Sequence, residues 1–379
     1  KVKIEISDVL EIVFVGNPVM HHLFLGINPI ELGGAPFALS IDDTFECLAK
    51  ELDLSLSQGT RVFSLPCIAG HVGADAASAT LAEKPHKKSE ISLIVDVGTN
   101  AEIILGNNQR ILAASSPTGP AFEGAQISCG QRAANGAIER VRIDPLTHEP
   151  RYSVIGIDGW SDEECFHSGE NIQNITGICG SGIIEVIAEM YISEILTSDG
   201  IIRGDLQQKS NRIIKNGRTY SYKLTDKVII TQNDIRAIQL AKAALHAGFR
   251  LLMDKLKIEH VDKVYLAGAF GSHIDPKYAM ILGIVPDCAL KSVTSIGNSA
   301  GAGARLALLS IDERKEVKNL VKNIEKIETA VEPNFQKHFV EAMAFPHKSN
   351  PYPLLRKQVS LPKKEIVNEN KKIRSRRRL

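Results

Sequence analysis

Short apolar runs punctuated by glycine, proline and asparagine alternate along this chain with stretches whose apolar positions recur every three or four residues. Residues 9–15 read as a buried strand, and Asn17-Pro18 then forms an N-cap and N1 pair that opens a helix to about Leu25. Gly26, Pro29, Gly33, Gly34 and Pro36 mark a loop. Residues 62–68 predict another strand, and the small-residue run 74–82 predicts a closely packed helix. Two apolar runs, 91–95 and 101–105, flank Asp96-Val97-Gly98-Thr99-Asn100 and predict a β-hairpin with a polar turn, continued by a strand at 111–114. A glycine-rich loop spans 119–136, and the polar stretch 144–174 reads as a surface excursion. Further on, the periodicity predicts a helix over 181–196. Thr231 and Asp234 form a capping signature for a long helix to about Leu256. A short buried strand at 264–266 enters Gly268-Ala269-Phe270-Gly271, Asp275-Pro276 caps another helix, and Gly297-Asn298 leads into a small-residue helix ending near Ser310. Residues 313–326 form a charged amphipathic helix, and beyond Pro353 the chain turns basic and polar, the composition of a disordered tail. Strands, loops and helices alternate with hairpins mixed in, which predicts an α/β protein with mixed sheets.

Composition narrows the class. With 379 residues, 44% hydrophobic and 23% charged, the chain has material for one large or two medium soluble domains. A net charge of +1 gives no general attraction to nucleic acid or membrane surfaces. No apolar run approaches the roughly 20 residues of a membrane span, and no signal-peptide pattern opens the chain. The cysteines at 47, 67, 129, 165, 179 and 288 include no CxxC pair, which fits reduced thiols in a cytoplasmic protein and argues against an iron–sulfur cluster held by this chain. Lys1 is followed almost at once by a strand, so a chain beginning inside a domain is expected.

Four glycine clusters carry candidate chemistry: Asp96–Asn100, Gly177-Ile-Cys-Gly-Ser-Gly182, Gly268–Gly271 and Gly297-Asn-Ser-Ala-Gly-Ala-Gly303. Glycine lets backbone approach a ligand and turns N–H groups toward an anion, and a helix N-terminus adds partial positive charge. Each cluster also has a plain reading, as a hairpin turn, a loop, or a stripe for close helix packing. No GxxxxGK[ST] occurs, which excludes a P-loop, and no GxGxxG follows a strand.

Taken in order, these blocks carry a resemblance. Val15-Gly-Asn-Pro-Val-Met-His-His-Leu23, Pro66-Cys-Ile-Ala-Gly-His-Val-Gly-Ala-Asp75, Asp96-Val-Gly-Thr-Asn-Ala-Glu102, Gly119-Pro-Ala-Phe-Glu-Gly124 and Glu341-Ala-Met-Ala-Phe-Pro346 join the clusters above. Over about residues 9–347 the chain resembles the reductive activators of corrinoid proteins, in the superfamily of acetate and sugar kinases, heat-shock chaperones and actin. The resemblance implies an α/β, actin-like (RNase H-like, ASKHA) ATPase fold. It would be organised as the remainder of a first, incomplete subdomain (1–86), a second nucleotide-binding subdomain (87–312), a helical extension (313–348) and a basic tail (349–379). It implies ATP and Mg²⁺ in a cleft, with a [2Fe-2S] domain upstream passing electrons to a Co(II) corrinoid in a partner protein of a methyl-transfer pathway. That domain and the superfamily's first DxGT hairpin lie outside this sequence; Asp96–Asn100 corresponds to the second.

Roles follow from phosphoryl-transfer chemistry, which is chiefly positioning and charge neutralisation. Asp96 is the expected Mg²⁺ carboxylate, directly or through water. Gly98, Thr99 and Asn100 are expected to cradle the terminal phosphates, with Gly119 and Gly124 in the same set. Gly180, Ser181 and Gly182 lie by the phosphates or ribose, and Gly268, Phe270, Gly271 and Asn298 on the adenosine side. Asp75 and Glu123 are candidates for orienting water, Asp75 alternatively a helix cap. His21 and His22 read as a helix-surface pair, Cys67 as a buried structural thiol, and Cys179 as packing. Two other functions stay open: a small-molecule kinase on the same scaffold, and a non-catalytic, nucleotide-responsive binding module. An electron donor and a homodimer complete the expected partners.

Overall fold

The computed structural model describes residues 3–167, 175–271 and 273–362. Its centre is a six-stranded mixed sheet ordered β14-β13-β4-β5-β6-β15. The strands are β4 (Ser92–Val97), β5 (Ala101–Gly106), β6 (Ile111–Ser116), β13 (Lys263–Ala267), β14 (Val293–Gly297) and β15 (Ile324–Lys326). The predicted hairpin and its third strand form the antiparallel meander β4–β5–β6, and β13 lies parallel to both β4 and β14. Alternation along the strands sorts the two faces. Leu93, Val95, Ile103 and Leu105 enter the main core with Leu245 and Leu252 of α5 (Gln232–Leu256). Ile94 and Ile104 face the other way, against Ala76 of α2 (Ala74–Glu83) and Leu320 of α9 (Ile311–Lys322).

Three small sheets flank this one: β1 (Glu11–Phe14), β2 (Phe45–Leu48) and β3 (Arg61–Ser64); β7 (Ala137–Ile143), β8 (Pro150–Val154) and β9 (Gly177–Ile178); β10 (Ile213–Asn216), β11 (Thr219–Lys223) and β12 (Ile229–Ile230). The remaining helices are α1 (Pro18–Phe24), α3 (Glu164–His167), α4 (Gly180–Ile192), α6 (Gly268–Gly271), α7 (Pro276–Leu282), α8 (Ser299–Leu309), α10 (Phe335–Ala342) and α11 (Pro353–Arg356). Local chemistry sets several ends. Asn17 accepts from Met20 N–H, Thr231 and Asp234 cap each other, Asp275 accepts from Lys277 N–H, and Asn298 from Gly301 N–H.

The structure departs from the sequence reading in places. The first strand is half-buried because β1 is an edge that pairs with β3 alone. The polar excursion contains β8 and α3, while its residues 168–174 lie outside the described ones. The charged helix ends at Lys322, and Ile324–Lys326 instead extends the central sheet beside β6. The stretch from 349 is packed as far as described: Tyr352, Leu355 and Leu361 are buried, Tyr352 Oη donates to Val285 O at 3.0 Å, and Asp287 accepts from Leu354 and Leu355 N–H. Residues 363–379 of the expected tail lie outside the described residues. His21 and His22 are not a surface pair. Both are buried, while Val19, Met20 and Leu23 of the same helix are exposed. His22 Nδ1 donates to Pro18 O and its Nε2 accepts from Ser40 N–H, whereas neither ring nitrogen of His21 has a partner among the described residues. None of the described helices is long and apolar enough to cross a membrane.

Candidate functional site

The site begins where parallel strands end, the usual ligand position of an open α/β sheet. Asp96 of β4 pairs in register with Ala267 of β13, and the chain after β13 turns at once into α6. Gly268 makes that turn at φ +84°, and a Cβ there would press against the Asp96 carboxylate. The sequence thus needs glycine both for its backbone angle and for the closeness of the aspartate.

The turn after Asp96 is tied down from behind. Gly98 N–H donates to Asn100 O at 3.1 Å, Gly119 N–H to Thr99 O at 2.8 Å, and Thr118 Oγ1 to Gly98 O at 2.9 Å. With those carbonyls engaged, the turn has one fixed shape, in which Thr99 and Asn100 are exposed.

Opposite stands the N-terminus of α4. Its N-cap, Cys179, supplies no side-chain cap, although Cys179 Sγ lies 3.3 Å from Ser181 Oγ. Gly182 sits against the Ile138 carbonyl, where a Cβ would clash, so β7 and α4 pack closely and the helix start is aimed. A loop closes the third side. Ser128 N–H and Oγ both bond Asp234 at the start of α5, Gly130 bridges to Ile178, and Gln131 N–H donates to Ile178 O at 2.9 Å. Gly124 lies flat on the Gly130–Gln131 backbone, and this joins the Phe122-Glu123 turn to the loop.

These segments enclose a cavity of about 490 Å³. Six of the sequence-predicted residues line it: Asp96, Gly98, Glu123, Gly180, Ser181 and Gly268. Gly119, Gly124 and Gly182 hold its walls from behind, as described. Gly271 packs on the Leu266 carbonyl, and Asn298 follows β14 as the cap of α8, whose Gly303 rests on the Ser78 carbonyl of α2. The Phe270 side chain lies outside the described residues. Gln131, Arg132 and His273 also line the cavity, as does Cys179, which the sequence reading gave only a packing role. Arg132 had a signal in the sequence, as the single cation of the glycine-rich stretch 119–136.

Three carboxylates gather at the sheet side. Asp96 and Glu102 are register partners on the face that α2 covers, and Asp75 sits in the first turn of that helix, accepting from Ala76 N–H at 2.8 Å. Burial, then the neighbouring Asp75 charge, pushes Asp96 up to about 6. Burial with Asp75 and Asp96 pushes Glu102 up to about 9, and burial also raises Asp75. The hairpin held the signal for Glu102: positions 96 and 102 are symmetric about the turn. No three His, Cys, Asp or Glu side chains among the described residues are disposed to hold a metal ion by themselves. Cys67 is buried and its thiol is pushed up to about 12, an inert state.

The family model of the C-terminal ASKHA domain of RACo matches residues 90–356, and that of the RACo middle region matches 1–88. The chain belongs to the RACo family. The fold is accordingly the ASKHA fold that the sequence motifs implied. A solved RACo relative, described as a reductive activator for corrinoid, iron–sulfur protein, superposes with a TM-score of 0.77 at 31% identity, over 91% of this chain and 54% of that one. Among curated proteins, the corrinoid activation enzyme RamQ of Eubacterium limosum is 35% identical over 88% of this chain and 56% of its own length. A [Co(II) methylated amine-specific corrinoid protein] reductase of Methanosarcina barkeri is 28% identical over 68% of this chain and 46% of its own length. The chain spans about half the length of these RACo-like relatives.

Proposed function

We propose that this chain is the ATP-binding core of a corrinoid activator, in which the nucleotide state of the cleft governs one-electron reduction of a partner's Co(II) corrinoid to Co(I). The electron would come from a [2Fe-2S] domain of the whole protein. One observation carries the reading. A carboxylate at the end of β4 and the uncapped N-terminus of α4 face one cavity, the complementary pair that a cation-bound triphosphate requires. The relatives, described as activators or a reductase of corrinoid proteins, suggest the corrinoid.

The cleft residues then divide the work. The Ser181 hydroxyl and the first amides of α4 bind phosphate oxygens, and the turn at 98–100 positions the terminal phosphates. Asp96 holds Mg²⁺ directly or through water, and the ion, when bound, neutralises charge that develops on the phosphates. Mg²⁺ commonly takes one or two carboxylates and completes its shell from phosphate and water, so a site without three protein ligands fits it. The raised affinity of Asp96 for a proton, caused by burial and Asp75, marks a place where positive charge is wanted. Glu123 orients the attacking water, and Gly268, set closely on the Asp96 carboxylate, borders the nucleotide.

The test is spectroscopic. Full-length protein, reductant and corrinoid partner are mixed with and without ATP, and the Co(II) band is followed as it converts to Co(I). ATP-dependent conversion that falls at least ~10-fold in Asp96→Asn supports the reading. Conversion indifferent to ATP, or phosphorylation of a small metabolite instead, overturns it.

A further inference from the structure

Asp96 and Glu123 bring negative charge to the cleft, yet the proposed ligand remains an anion even with a divalent cation bound. Something on the wall must answer that charge. Among the described lining residues Arg132 is the one guanidinium or ammonium. It is exposed to the cavity and makes no hydrogen bond or ion pair with any described residue. Eight other described arginines hold carboxylates, those at 110, 140, 142, 151, 203, 212, 250 and 314, while those at 61, 218, 236, 305 and 356 hold none among the described residues but do not line this cavity.

Its mounting is rigid although its tip is free. The preceding residue, Gln131, donates its N–H to Ile178 O, and Gly177 leaves no room for a Cβ beside the Gln131 side chain. Ile178 lies two residues before the first residue of α4. The guanidinium is therefore carried on backbone bonded directly to the strand that launches the phosphate-facing helix. The same Gln131 backbone supports Gly124, so Arg132 and the Phe122-Glu123 turn are joined in one wall of the cavity that Asp96 and the start of α4 also line.

We infer that Arg132 binds the terminal phosphate of the nucleotide and so makes the cleft distinguish ATP from ADP. The inference rests on the ATP reading above and deepens it. A planar guanidinium suits this task because it offers two parallel N–H donors to two phosphate oxygens, a geometry lysine lacks. If electron delivery to the corrinoid is to follow ATP and not ADP, a contact present with only one of them is the simplest physical means.

Calorimetric titration of the full-length protein with Mg²⁺ and a non-hydrolysable ATP analogue, and separately with MgADP, decides it. Arg132→Gln should weaken the ATP analogue by about 10- to 100-fold while MgADP changes by less than about 3-fold. Arg132→Lys should recover only part of the loss. Equal weakening for both nucleotides, or none for either, overturns the inference and leaves the ATP reading intact. Failure of the unsubstituted protein to bind either nucleotide sinks the ATP reading itself. Arg132 is exposed and unpaired among the described residues, so the variants should keep the parent's thermal midpoint, which is measured alongside.

Discussion

At the scale of single residues, the cleft is a problem of like charges. Glu102 is the sharpest case, because in the folded chain it keeps its proton up to about pH 9, whereas the ordinary value is 4.5. Between those values the native state binds a proton that the unfolded chain has lost, so stability falls as pH rises through that window. Glu102→Gln removes the titration. In chelator-containing buffer, its urea midpoint should gain on the parent steadily from pH 5 to pH 9; parallel curves would refute the account. Gly268 poses a steric problem instead. Gly268→Ala meets a positive φ, worth about 1–2 kcal/mol, and pushes on the Asp96 carboxylate. Its Mg²⁺-dependent nucleotide affinity should drop at least ~10-fold because the carboxylate is displaced from the cavity, as titration of the purified variant would show. The sequence made Asp96 and Gly268 legible because each sits in a motif. Arg132 was marked in the sequence only as the lone cation of 119–136; its place on the cavity wall depends on the bond of Gln131 to Ile178, a partner remote in the chain.

At the scale of elements, two contacts hold the frame around the cleft. Lys242 of α5 is fully buried; burial holds its amine well below the usual lysine range, and it donates to Ala344 O and Pro346 O. Lys242→Met keeps the volume but strands two carbonyls, at a cost of about 1–3 kcal/mol for each group left unpaired. Denaturant unfolding should show that loss, with proteolysis at 344–347 accelerated. The second contact is the crossing of α2 and α8, where Ser78 Oγ donates to Ala300 O at 2.6 Å and Gly303 meets the Ser78 carbonyl. Gly303→Ala forces the helices apart and should lower stability by about 1–3 kcal/mol in the same assay. Elements with chemical punctuation were readable in advance: α1 by Asn17-Pro18, α5 by Thr231 and Asp234, α7 by Asp275-Pro276, and the β4–β5 hairpin by its turn. The sheet β10–β12 and the strand β15 were not, since their pairing depends on segments whose own periodicity is mixed. The reading of His21 and His22 as a surface pair failed because residue type does not say which side of α1 the fold buries, and here the histidines are inside and Val19, Met20 and Leu23 outside.

At the scale of the whole molecule, the ASKHA class was legible through the resemblance that the ordered glycine clusters carry, and the structure brings the turns after β4 and β13 together because those strands pair. If that convergence serves a nucleotide, ligand and stability are linked. With ligand at about 100 times its dissociation constant, the unfolding free energy should rise by about 2.7 kcal/mol. Differential scanning with MgATP, ATP plus chelator, and Mg²⁺ alone reads this directly, and only the first should produce the full shift.

The order of the central sheet also constrains how the chain is made. Its middle, β4–β5–β6, is complete by Ser116, but the neighbours on its two sides wait for Lys263–Ala267 and Ile324–Lys326. At ordinary translation speeds that leaves both flanks of the meander unpaired on the ribosome for on the order of ten to thirty seconds. A nascent chain with two open, largely apolar edges is sticky, so this protein should depend on chaperones to reach its native form in quantity.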